Sequence, residues 1–336
     1  MSSKAVAGAY ILGCAGPELS ASEAAFFRAA DPWGFILFQR NCETKAQVHR
    51  LTAALRAAVG RDAPVLIDQE GGRVQRLWPP VWALHPPALD LVEASPDPER
   101  ALWLRGALIA AELREIGIDV NCAPMGDTAF AGTHPRLRNR CYGQTAPEVA
   151  RRARALANGQ VAGGVLGVLK HMPGHGSATK DSHIDLPRVT KSAEILARED
   201  FAPFKALADL PLGMTAHVVF EAHDAERPAT TSPVMHRIIR EEIGFDGLLM
   251  TDDLSMEALA GSARTRSEAA LSAGCDVILH CNGDMAEMEE VVTVGAMTEA
   301  AAARAARALA ARPAPAHIDT DALTAELRSL TNGAAA

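Results

Sequence analysis

The sequence predicts an α/β protein built as a single (β/α)8 TIM-type barrel. Two observations carry that prediction. Eight short β-type runs alternate with Ala-, Arg- and Glu-rich stretches of helical periodicity. That alternation makes a parallel sheet, and eight is the number that closes a barrel. Polar and titratable residues also gather at the ends of several runs, which is where barrel enzymes build their sites.

In order, the runs are AYILGC (9–14), GFILF (34–38), PVLIDQ (64–69), DVNCAPMGD (119–127), VLGVLKHM (165–172), LGMTAHVVF (212–220), GLLMTDDL (247–254) and CDVILHC (275–281). Each is a short apolar run suited to a strand buried on both faces. Between them, segments 44–59, 99–117 and 147–164 place apolar residues three and four apart, as in Val48, Leu51 and Leu55, so they read as amphipathic helices. An open doubly wound sheet is the alternative. It is weakened because neither G-x-G-x-x-G nor G-x-x-x-x-G-K-[ST] follows the first run. No change of composition splits the chain, so one catalytic domain is expected over 1–336, with 312–336 forming a C-terminal helix and a frayed tail.

Composition excludes several classes. The 336 residues are 48% hydrophobic and 22% charged, ample for a globular core. A net charge of −8 argues against nucleic acid as a partner, and no apolar run reaches membrane-spanning length. The N-terminal MSSKAVAGAYILGCAGPELS carries a single Lys4 and flows into the first strand, so a secretory signal is not expected. The six cysteines show no CxxC spacing and are expected as reduced, mostly buried thiols.

The strand ends hold Asp68 and Gln69, Asp127, Lys170 and His171, and Asp252 and Asp253, and His217 lies in the sixth strand. Any one of these could be a helix cap or a satisfied core group; together they mark a site. The stretch KHMPGHGSATKDSHIDLP, Lys170 to Pro187, is the richest: a strand end, a Gly/Pro loop, and three histidines (His171, His175, His183) with Asp181 among them. His183 follows Asp181 by two residues, so in an extended loop the carboxylate can meet the imidazole and favour its protonated form. In TDDLS, adjacent strand residues face opposite ways, so one of Asp252 and Asp253 should aim into the site while Asp253 or Ser255 caps a following helix, SMEALAG. A rim carboxylate can attack an anomeric carbon. His171, His175 and His183 with Asp252 could instead hold zinc. The H-x-x-x-H spacing here spans a Pro-Gly turn, however, and lacks the one-face geometry of a helical pair.

KHMPGHGSATKDSH is similar to the KHFPGHG…DSH signature of glycoside hydrolase family 3, and most of all to its single-domain bacterial β-N-acetylhexosaminidases. GFILFQRN, LIDQEGGRVQRL, GIDVNCAP, NRCYG, MTAHVVF and MTDDLSM resemble further segments of that family, so the resemblance covers most of the chain. It implies that Asp252 is the nucleophile and His183 the general acid/base, assisted by Asp181. It also implies that Asp68, Arg76, Arg140, Lys170 and His171 hold the N-acetylglucosamine hydroxyls. Without the motifs, Arg76 and Arg140 would read as surface or ion-pair residues. His175 and His217 are left outside the catalytic set. Met172 stands where the family has Phe and should pack inward or under the loop. Larger family members take their acid/base from a second domain, so here the loop after the fifth strand must supply it.

The mechanism implied is retention of configuration through a covalent glycosyl-enzyme. The cellular role implied is peptidoglycan recycling in the cytoplasm, removing N-acetylglucosamine from anhydro-N-acetylmuramic acid muropeptides. No cofactor is expected. The expected partner is a small sugar substrate, with no nucleic acid, no membrane and a monomeric state. A metal-dependent barrel hydrolase, a non-catalytic sugar sensor and hydrolysis assisted by the substrate's acetamido group are the alternatives.

Overall fold

Backbone hydrogen bonds close the eight apolar runs on themselves. The computed structural model describes residues 6–179, 186–256, 259–314 and 317–331. Its barrel strands are β1 (Gly8–Gly13), β2 (Pro32–Leu37), β3 (Val65–Ile67), β4 (Val120–Asn121), β5 (Leu166–Met172), β6 (Leu212–Thr215), β7 (Leu248–Asp253) and β8 (Val277–His280). They pair in parallel in chain order, and β8 returns to β1 with Ile11 opposite Leu279. The expected (β/α)8 barrel is the fold observed.

Strand alternation sorts the core into layers. Ile11, Ile36, Leu66, Val168, Met214 and Met250 point inward and fill the barrel. Phe35, Leu37, Val65 and Ile67 point outward against the helices. Met172, fully buried, also lies in the layer between strands and helices.

The three predicted helices form at Lys45–Val59, Pro98–Glu115 and Ala146–Ala162. Their starts are written in the sequence: Thr44 accepts from the Gln47 amide, Asp97 from the Arg100 amide, and Thr145 with Glu148 makes a capping box. The second and third pack backbone to backbone. A Cβ on Gly159 would stand 2.1 Å from the Trp103 carbonyl oxygen, and one on Gly106 2.4 Å from that of Leu156. A C-terminal helix, Thr320–Leu330, buries Leu327 and pairs Glu326 with Arg100 of the second helix. No helix among the described residues is long and apolar enough to cross a membrane. All six cysteines are free, and all but Cys42 are buried.

Three local expectations differ. The run 119–127 gives a strand of only two residues, because Cys122 to Asp127 turn over the rim, Met125 bridging to Lys170. The run 212–220 splits. Leu212–Thr215 stays in the barrel, while Val219–Phe220 pairs with Arg188–Val189 outside it. His217 therefore lies beyond the strand, at the rim, where bonds to Thr230 Oγ1 and the Asp253 carbonyl hold it. Finally, no helix follows TDDLS directly among the described residues; the next begins at Ala263, capped by Ser262. The Asp253 carboxylate makes a tight turn by accepting from the Ser255 amide and hydroxyl. Arg266 satisfies the Leu254 and Met256 carbonyls that a helix would have used.

Candidate active site

A cavity of about 300 Å³ opens at the C-terminal rim. Its walls come from strand ends and the loops after them: Phe38 beyond β2, Asp68 beyond β3, Lys170 and His171 on β5, His217 beyond β6, Asp252 on β7 and Cys281 beyond β8. Parallel strands in a closed barrel all end on one face, so residues far apart in sequence converge.

One wall is a lattice of charge. Lys170 Nζ donates to Asp68 at 2.8 Å and lies 2.7 Å from Glu70. Arg76 reaches the other Asp68 oxygen at 3.0 Å. Arg140 grips Glu70 through both oxygens, at 2.9 and 2.8 Å. Three cations thus face two carboxylates, with the Lys170 side chain only 2% exposed. Burial alone would raise the Asp68 carboxyl, but Lys170 and Arg76 outweigh it and hold it well below the usual range. Burial works the same way on Glu70, where Arg140 and Lys170 win and bring it down to about 2. Burial disfavours the Lys170 ammonium, yet the two carboxylates raise its pKa.

The loop carrying Arg76 is held from within. Gln69 Oε1 accepts from the Arg76 and Leu77 amides, and the Gln75 side chain donates to the Leu77 and Ala83 carbonyls. The Arg76 guanidinium also lies over the Phe38 ring, 4.8 Å from its centre.

Asp252 forms the opposite wall. Its side chain is 21% exposed, and one oxygen lies 4.0 Å from His171 Nε2. Burial would raise this carboxyl, but the imidazoles of His171 and His217, the Asp253 amide and Lys170 lower it below the ordinary carboxylate range. The group is an anion at neutral pH, as an attacking carboxylate must be. Asp253 also touches the cavity, but its oxygens are taken by Ser255 and the Cys281 amide. Behind His171, Asp127 accepts from Nδ1 at 2.8 Å. Burial pushes the His217 imidazole down, and burial with the adjacent His171 pushes His175 to about 4.

Of the residues singled out from sequence, Asp68, Arg76, Arg140, Lys170, His171 and Asp252 all line this one cavity. Asp181 and His183 lie outside the described residues. The sequence places Asp127 among the rim residues without a role, and does not single out Glu70. Glu70 stands two residues after Asp68 in LIDQEGGRV, and Asp127 closes the fourth run. Pairing could have been suspected for both, but not the partner. His175 and His217, outside the catalytic set, also line the cavity. The zinc reading needs His171, His175, His183 and Asp252 together. His183 lies outside the described residues, and among the described residues alone no group of three or more metal-binding side chains is assembled.

Residues 22–311 match the glycosyl hydrolase family 3 N-terminal domain. The chain is 37% identical over 314 residues to a β-hexosaminidase of Methylococcus capsulatus, covering 92% of this chain and 93% of that one. It is 36% identical over 330 residues to a β-hexosaminidase of Bordetella avium, covering 96% and 93%. Among solved structures it resembles NagZ from Neisseria gonorrhoeae in complex with N-trifluoroacetyl-D-glucosamine. The TM-score is 0.86 and the identity 28%, over 97% of this chain and 98% of that one.

Proposed function

The chain belongs to glycosyl hydrolase family 3, and from that premise we propose that it is a retaining, exo-acting β-N-acetylglucosaminidase whose nucleophile is Asp252. It is a glycoside hydrolase of the β-hexosaminidase type. The observation that carries the finer reading is the Asp252 carboxylate, anionic and largely buried, facing the charge lattice across a cavity of sugar-ring scale.

In the first step His183 gives its proton to the glycosidic oxygen as Asp252 attacks the anomeric carbon. The carbon–oxygen bond to the leaving group breaks and an ester to Asp252 forms. His183, now neutral, takes a proton from water, which attacks the same carbon and frees Asp252 with net retention. Asp181 orients His183. Asp68, Arg76, Arg140, Lys170 and His171 hold the ring hydroxyls; the ion pairs among them offer fixed donors and acceptors side by side, as a polyol requires. No step calls for a cofactor.

A small cavity suits one terminal sugar, which supports exo action. The substrate we infer is the terminal β-linked N-acetylglucosamine of peptidoglycan-derived anhydro-muropeptides, met in the cytoplasm during cell-wall recycling. The chain would work as a monomer and as one catalytic domain. The resemblance to single-domain bacterial β-N-acetylhexosaminidases supports this setting.

The test is nitrophenol release from 4-nitrophenyl N-acetyl-β-glucosaminide, with and without EDTA, for wild type and Asp252→Ala. Turnover indifferent to chelator and reduced roughly 10⁴-fold or more in the variant is expected. Loss of wild-type turnover in EDTA would replace this mechanism with a metal-dependent one.

A further inference from the structure

We propose that Asp127 is a positioning residue: it fixes the tautomer and aim of His171 and docks the start of the loop after β5 onto the barrel rim. This rests on the glycosidase reading above.

Asp127 is fully buried. Its carboxylate accepts from His171 Nδ1 at 2.8 Å, from the His171 amide at 3.3 and 3.4 Å, and from the His175 amide at 2.6 Å. An ionised carboxylate can only accept, so Nδ1 must carry the proton. Nε2 is then the atom turned to the cavity. At 4.0 Å from Asp252 it is too far for a direct hydrogen bond and is left for a sugar hydroxyl. One side chain thereby sets how His171 meets both substrate and nucleophile.

The other Asp127 oxygen holds His175, the first histidine of the loop that goes on to carry Asp181 and His183. A second contact shows how closely that loop sits on the 127–128 backbone. A Cβ on Gly176 would stand 2.0 Å from the Thr128 carbonyl oxygen, and Thr133 Oγ1 donates to the Gly176 carbonyl at 2.6 Å. His171 in the cavity wall and the described start of the loop after β5 are therefore registered on one buried group.

An asparagine cannot replace it. If its amide oxygen takes the His171 proton, its NH₂ must face the His175 N–H, donor against donor. Asp127→Asn should lower kcat/KM on 4-nitrophenyl N-acetyl-β-glucosaminide on the order of 100-fold, with unchanged far-UV circular dichroism.

The deciding readout is the ring ¹⁵N spectrum of His171 at pH 7, assigned by its loss in His171→Gln. We expect Nδ1 protonated in the wild type, with a downfield proton, and that signal lost in Asp127→Asn. A wild-type spectrum with Nδ1 unprotonated overturns the proposal, whether or not the variant folds. So does a folded Asp127→Asn enzyme with wild-type kcat/KM. Absence of wild-type turnover would instead count against the glycosidase reading, leaving the spectrum to decide the role of Asp127.

Discussion

Lys170 shows what a buried charge contributes when its partners are fixed. Its ammonium group serves Asp68 and Glu70 together, out of contact with water. Lys170→Met would leave two buried carboxylates with only Arg76 and Arg140, costing about 3 kcal/mol of stability in chemical denaturation. The pH dependence follows from the carboxylates. Both have folded pKa values below their unfolded ones, 4.5 falling to about 2 for Glu70. The unfolded chain therefore binds protons first on acidification. Wild-type stability from this pair should be complete above about pH 5 and fall as pH drops from about 4.5 toward 2. Lys170→Met should start lower and lose less over that range. For His183 the proposed acid role makes a separate demand. His183→Ala should slow an unactivated disaccharide far more than a substrate whose leaving group needs no proton. Equal slowing, measured as kcat/KM on the two substrates, would remove His183 from that role.

The second and third helices, Pro98–Glu115 and Ala146–Ala162, meet through Gly106 and Gly159. Alanine favours a helix over glycine by about 1 kcal/mol, so propensity alone would make Gly159→Ala stabilising. Packing reverses the sign. The new methyl would lie 2.1 Å from the Trp103 carbonyl oxygen, backbone that cannot swing aside. Overpacking of this kind costs about 1–3 kcal/mol. We expect Gly159→Ala to lower the thermal midpoint by a few degrees while leaving KM unchanged, since neither helix lines the cavity. A raised midpoint would mean that the two helices separate more readily than their contact suggests.

Closure of β8 on β1 makes the barrel one cooperative object, and chain segments far apart in sequence brace its lower face. Arg312 bonds to Asp119, just before β4, and to Asp62, just before β3. Such contacts at the N-terminal face serve stability, while the opposite rim carries the chemistry. The thiols report on the same cooperativity. Burial, the larger effect, pushes Cys14 and Cys42 up to about 12, and Cys122, Cys141 and Cys281 are raised too. A thiol-disulfide reagent should label at most Cys42 quickly in native buffer and reach the rest at the rate of unfolding. Rapid native labelling of several thiols would contradict this packing.

Periodicity, together with the polar residues at the run ends, was enough to predict the barrel. Eight apolar runs, the three- and four-residue spacing of the helices and the caps at Thr44, Asp97 and Thr145 are local signals, each readable within a few residues. The rim residues Asp68, Lys170, His171 and Asp252 were legible for a related reason: a strand end names its own position on the barrel. Partnership was not legible. Glu70 and Arg140 are 70 residues apart, and Asp127 and His171 are 44 apart; whether they touch depends on strand tilt and closure, which no local pattern encodes. The same holds after TDDLS, where a helical pattern yields to the Asp253 turn and to Arg266 arriving from the next helix. Sequence chose the elements because their energies are local. Tertiary structure chose which charges face which, because a buried ion is stable only beside partners that the fold alone can deliver.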